Sequence, residues 1–95
     1  MALFIVTCID KEGTLEQRMT ARPAHLARLE QLHQKGQLIL AGPMPKDVGF
    51  WGSTLVVDFE TREALDVWLQ EEPYLHAGVY DHIDVKPFIQ VFPKV

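Results

Sequence analysis

One histidine stands where chemistry is possible. In Arg22-Pro23-Ala24-His25-Leu26 a proline with fixed φ and no N–H favours the start of a helix. From there His25, Leu29 and Leu32 recur at i, i+4 and i+7, which turns His25 inward with the apolar face. An inward imidazole has two uses: it is a hydrogen-bonded core residue, or it is a proton carrier at a cavity. The second use needs a carboxylate on one ring nitrogen. Such an acid fixes the tautomer, leaves the other nitrogen free as a base, and stabilises the imidazolium once a proton has been taken. A pair of that kind suits proton abstraction next to a carbonyl.

Other reactive types are present without a pattern. His33, His76 and His82 show no HxxxH or Cys-His spacing with His25, so no metal site is expected. Cys8 lies in an apolar run and reads as a buried thiol; being the single cysteine, it allows no intrachain disulfide. Ser53 has no nucleophile-elbow context, so its hydroxyl is at most a hydrogen-bonding group. Gly42-Pro43 and Gly52 make no phosphate-binding glycine pattern, and no cofactor is expected.

The elements that must position His25 follow from periodicity. Leu3 to Ile9 reads as a strand closed by the turn Asp10-Lys11-Glu12-Gly13. Thr14 is placed to cap a short helical turn through Arg18. Pro23 then opens the main helix to Lys35, with Leu26 inward, Arg28 and Gln31 outward, and Gly36 as the stop. Leu38 to Gly42 is a buried strand, and Pro43 to Gly52, with its prolines and glycines, an irregular loop. Within that loop Phe50 and Trp51 suit a lid or, preferably, an interface between subunits. Ser53 to Phe59 alternates as a strand. Thr61 caps a helix whose apolar stripe is Ala64, Leu65, Trp68 and Leu69, ending near Glu71. The chain turns at Glu72-Pro73-Tyr74, and a last strand from Tyr80 to Phe92 is interrupted at Pro87, as at an edge or a bulge.

The order β-α-β-β-α-β is that of a ferredoxin-like α+β domain: a four-stranded antiparallel sheet with two helices on one face. At 95 residues the chain is one domain with a modest core, burying about 60–65% of its unfolded surface. The first two strands are apolar on both sides. The face away from the helices therefore needs a cover, and a second copy of the chain supplies it: a homodimer is expected. The net charge of −4, with scattered Lys and Arg, argues against a nucleic-acid partner. The start, apolar but without a basic flank, fits neither a signal peptide nor a membrane span, so no membrane partner and a cytoplasmic location are expected.

Five segments in register, Arg22-Pro23-Ala24-His25-Leu26, Ala41-Gly42-Pro43-Met44, Gly52-Ser53, Glu72-Pro73-Tyr74 with Ala77-Gly78, and Val85-Lys86-Pro87-Phe88, resemble the YCII-related (YciI-like) family over nearly the whole chain. The resemblance implies a dimeric α+β barrel and a site in which a helix histidine pairs with the aspartate of an Asp-Pro-Phe/Tyr motif. A few relatives are lactone-type dehalogenases that eliminate halide. His25 matches the histidine, and Pro43, Ser53 and Tyr74 match positions around the pocket, with Gly42 beside Pro43. The acid is Glu72, one methylene longer than the family's pattern, with Glu71 and Asp81 in reserve. Glutamate keeps the charge and changes the reach. Two readings stay open: contact through a different rotamer, or loss of the chemistry in this chain.

The resulting expectation is an acid/base enzyme without a cofactor, acting on a small carbonyl- or lactone-like molecule. His25 and Glu72 would be catalytic, and Gly42, Pro43, Ser53 and Tyr74 would line the substrate pocket. The alternative is a non-catalytic module that binds a small ligand or a partner in the same pocket.

Overall fold

The computed structural model describes residues 2–94. Seven elements follow in chain order: β1 (Ala2–Asp10), α1 (Leu15–Gln34), β2 (Leu38–Pro45), β3 (Phe50–Phe59), α2 (Arg62–Gln70), α3 (Pro73–His76) and β4 (Tyr80–Phe88). The four strands form one antiparallel sheet in the order β2-β3-β1-β4. This is the ferredoxin-like arrangement with helices on one face of the sheet.

Strand alternation puts Phe4, Val6 and Cys8 of β1 and Leu55, Val57 and Phe59 of β3 on the helix side. They pack with Leu32, Leu65, Leu69, Tyr74 and Val79 into one core. The helix ends obey their local chemistry. Thr61 caps α2 by accepting from the Ala64 N–H at 3.0 Å. After α1, Gly36 takes φ +73°, and the Gly36 and Gln37 N–H groups return to the His33 and Leu32 carbonyls, closing the helix as a Schellman turn.

Four boundaries differ from the sequence expectation, each for a tertiary reason. Helix α1 does not break at Pro23 but runs through it. The proline removes one backbone hydrogen bond, and the helix is held on both sides of the gap by buried side chains, Arg18 before it and His25 and Leu32 after it. The segment expected to be an irregular loop is mostly ladder. Strand β2 extends to Pro45 and β3 begins at Phe50, leaving a tight connection closed by Lys46 N–H to the Gly49 carbonyl at 3.2 Å. Prolines 43 and 45 are accommodated because β2 is a sheet edge. Residues 73–76 form a third helix where only a turn was expected. Strand β4 stops at Phe88, with Pro87 inside it at the other sheet edge.

Two orientations also change once α1 is continuous. Leu26 is 41% exposed rather than inward. Arg28 does not point freely outward: its guanidinium lies 4.3 Å over the Trp68 ring and donates to the Trp68 carbonyl at 2.8 Å, tying α1 to α2. Among the described residues no helix is long and apolar enough to cross a membrane.

Candidate active site

The unbroken α1 carries Arg18, Arg22 and His25 along one face, at i, i+4 and i+7. Its apolar continuation, Leu29 and Leu32, anchors that face on the sheet. Arg18 and His25 are 3% and 6% exposed, unusual burial for ionisable groups, and each is matched by an acid.

Nδ1 of His25 is hydrogen-bonded to Oε1 of Glu72, which is only 2% exposed. Because a carboxylate is acceptor-only, that ring nitrogen carries the proton and donates. Glu72 is fixed from two directions. It occupies the N-cap of α3 in an extended conformation imposed by Pro73, and its Oε2 accepts the Tyr74 N–H at 2.5 Å. The capping bend thus aims the longer side chain back at α1. The extra methylene does not prevent the contact, which this rotamer makes. Glu71 and Asp81 are exposed and take no part, Asp81 pairing with His82 at the surface.

Tyr74 lies flat on His25, with ring centroids 4.1 Å apart at 19°. Burial raises its phenol above the ordinary tyrosine value, so it is a protonated donor at neutral pH. Beyond Tyr74 sits Arg18, whose guanidinium is 4.6 Å from the Tyr74 ring centre and 4.7 Å from that of Phe50. Its Nη1 donates to both carboxylate oxygens of Asp10, at 2.9 and 2.8 Å, and its Nη2 donates to Oγ of Ser53 at 2.7 Å.

These side chains wall a cavity of about 290 Å³ between α1 and the β2–β3 hairpin. Gly42, Pro43, Ser53, Tyr74 and His25 all line it. Gly42 and Pro43 do so from strand β2 rather than from a turn, because Gly42 pairs with Thr54 and Pro43 with Ser53. Phe50 lines it too, with the Arg18 guanidinium over its ring, and so forms a wall of the cavity; Trp51 is exposed beside Lys46. The second ring nitrogen of His25 makes no hydrogen bond with the described residues and is not sealed among them, so it is available to a molecule in the cavity. Among the described residues no group of His, Cys, Asp and Glu could hold a metal ion.

Sequence reasoning missed Arg18, Asp10 and Arg22, and gave Phe50 only as a lid or interface residue. A signal existed for the first: Arg18 and His25 are seven apart, the spacing of one helical face, and only the expected break at Pro23 hid it. Asp10 sits at the end of β1, where it read as turn polarity.

Comparison with known proteins bears on the fold and the lineage. The model of the YCII-related domain matches residues 2–89. The chain belongs to the YCII-related family. Protein YciI of Escherichia coli O6:H1 and that of Shigella flexneri are each 47% identical to it over 97 residues, spanning 95% of this chain and 99% of theirs. An uncharacterized protein of Haemophilus influenzae is 41% identical, over 94% of this chain and 98% of its own. Among solved structures, the 5-chloro-2-hydroxyhydroquinone dehydrochlorinase TftG from Burkholderia phenoliruptrix AC1100, in complex with 2,5-dihydroxybenzoquinone, superposes with a TM-score of 0.84. It is 25% identical, covering 98% of this chain and 99% of that one. A dimeric protein of ferredoxin-like fold from Bacteroides fragilis shares the fold alone, with a TM-score of 0.58 and 12% identity over 94% and 95% of the two chains.

Proposed function

We propose that this YCII-related protein is a small enzyme that performs acid/base chemistry on a carbonyl- or lactone-like molecule. The observation that carries the reading is an imidazole whose Nδ1 is held by a buried carboxylate while its other nitrogen is left to a cavity. In the proposed step Nε2 takes a proton from carbon next to a carbonyl, and Glu72 stabilises the imidazolium that results. The electron pair released is taken up by the carbonyl or, where the adjacent carbon bears a leaving group, forms a double bond as that group departs. This step needs no group beyond the chain's own. Tyr74, on the face of the ring, and Ser53, steered by Arg18, would orient the molecule, with Gly42 and Pro43 as the opposite wall. The volume suits a ligand smaller than most drug-like molecules. Similarity to a dehydrochlorinase supports elimination as chemistry within reach of this fold.

The working unit in this reading is a homodimer, supported by the apolar residues Leu3, Ile5 and Ile9 of β1 and Leu40 of β2 on the sheet face away from the helices.

The test is a screen of halogenated lactones, chlorinated hydroxyquinols and small keto acids with the wild type, His25→Ala and Glu72→Gln. Turnover should fall by roughly 10²–10⁴-fold without the ring. With glutamine in place of Glu72, nitrogen NMR should show a changed His25 tautomer mixture. Catalysis that survives loss of the ring removes it as the base. Ligand binding without turnover, retained in His25→Ala, would instead establish a non-catalytic binding module.

A further inference from the structure

The cavity beside His25 carries a charge pattern that the acid/base step does not use. Among the described residues its ionisable lining consists of Arg18, Arg22, His25 and Tyr74 and includes no carboxylate, although the chain has 13 acidic residues against 9 basic ones. Arg18 is already satisfied by Asp10 and Ser53 and enclosed by two rings. Arg22 is different. It is exposed at the cavity and forms neither an ion pair nor a hydrogen bond with any described residue. It sits three residues before His25, so the two side chains rise from the same face about 5–6 Å apart at Cβ. Much of the remaining wall is apolar, as at Leu29, Pro43 and Leu55.

We infer that the ligand of this cavity is a small organic oxyanion, a carboxylate or an ionised enol, whose charged oxygens meet Arg22 while its apolar body lies against the wall within reach of His25. The inference rests on reading this cavity as the place where a small molecule meets His25, and it adds the chemical class of that molecule. The physical grounds are these. A planar guanidinium fork presents paired N–H donors that match two oxygens sharing one negative charge. A neutral molecule of the same shape would fill the apolar wall and leave that fork in water. Asp10 and Glu72, the acids behind the wall, are already engaged by Arg18 and His25, so Arg22 is the cation left to meet an anion there.

The experiment compares matched pairs of probes with the full-length protein by calorimetry and by NMR shifts of the His25 ring. Benzoate is set against benzamide, and the ionised enol of cyclohexane-1,3-dione against its neutral O-methyl ether. The wild type should bind at least one anion about tenfold more tightly than its neutral twin. That preference should shrink toward unity in Arg22→Gln, recover in part in Arg22→Lys, and weaken with added salt. The two pairs separate carboxylate from enolate as the oxyanion preferred. Because Arg22 is exposed, the glutamine variant should keep the wild-type urea midpoint, which separates lost recognition from lost folding. Equal binding of the neutral twins, an anion preference that survives Arg22→Gln, or no binding of either anion at millimolar concentration overturns the inference. Turnover indifferent to His25 would sink the catalytic reading alone and leave the anion preference standing.

Discussion

The residues that matter most are ionisable groups taken out of water, and each survives burial because a specific partner meets it. Glu72 shows the economy of the arrangement: one carboxylate caps α3 with one oxygen and holds His25 with the other. Cys8 and Tyr80 are the opposite case, buried without an ionic partner. Burial pushes the Cys8 thiol up from 9.0 to about 12, and Tyr80 well above its ordinary value in the same direction. Both therefore stay protonated in the native state over a range where the unfolded chain gives its protons up. Since the unfolded state then binds fewer protons, stability falls as pH rises. The Cys8 contribution is complete below about pH 9 and is lost as pH climbs toward 12, and Tyr80 adds to the decline once pH passes its ordinary value. Urea midpoints measured through that window should decline, and a flat profile would contradict the burial of both groups. The thiol should also resist alkylation in the native protein at mildly alkaline pH while reacting once the chain is unfolded.

At the scale of elements, what was legible in the sequence was what local pattern decides. Strand β3 alternates cleanly, and α2 has both its stripe and its Thr61 cap. What was hidden depended on partners far along the chain. Pro23 is a helix breaker by local rule, yet anchors eight and forty-seven residues away, Asp10 for Arg18 and Glu72 for His25, keep α1 whole. The same blindness affected Gly49-Phe50-Trp51-Gly52, where glycine content reads as a loop. Gly52 lies instead inside a central strand opposite Ile9, where the backbone of β1 comes too close for a side chain. At its φ of +155°, an added Cβ would sit 1.8 Å from the Cys8 carbonyl oxygen, which cannot yield without breaking the β1–β3 ladder. Gly52→Ala should accordingly cost about 3 kcal/mol or more in chemical unfolding, and an unchanged midpoint would show that the two strands do not pair as described. In the candidate site, His25 could be found by its face and Glu72 through family resemblance, whereas Asp10, Arg18 and Phe50 meet only through tertiary packing.

The whole molecule has one covered sheet face and one open one. Helices protect the first. The second carries Leu3, Ile5 and Ile9 of β1 and Leu40 of β2, with Asp84 and Lys86 of β4 beside them, and beyond the last strand Ile89, Val91 and Phe92 are left exposed. Apolar surface is costly to leave in water, and a twofold-related copy would bury it on both chains at once. Light scattering at micromolar concentration should give the mass of two chains for the wild type. Ile5→Lys, which puts a charge in the middle of that face, should shift the population to single chains with little change in helix content. A wild-type mass of one chain would refute the homodimer.

The site's contributors lie far apart in the chain. Asp10 comes from the first strand, Arg18 and His25 from the helix after it, Ser53 from the third strand, and Glu72 from the bend beyond the second helix. No contiguous fragment that stops short of that bend can bring His25 and Glu72 together. If the proposed acid/base reading holds, turnover belongs only to a chain that has closed upon itself, and a partly folded copy has none to offer.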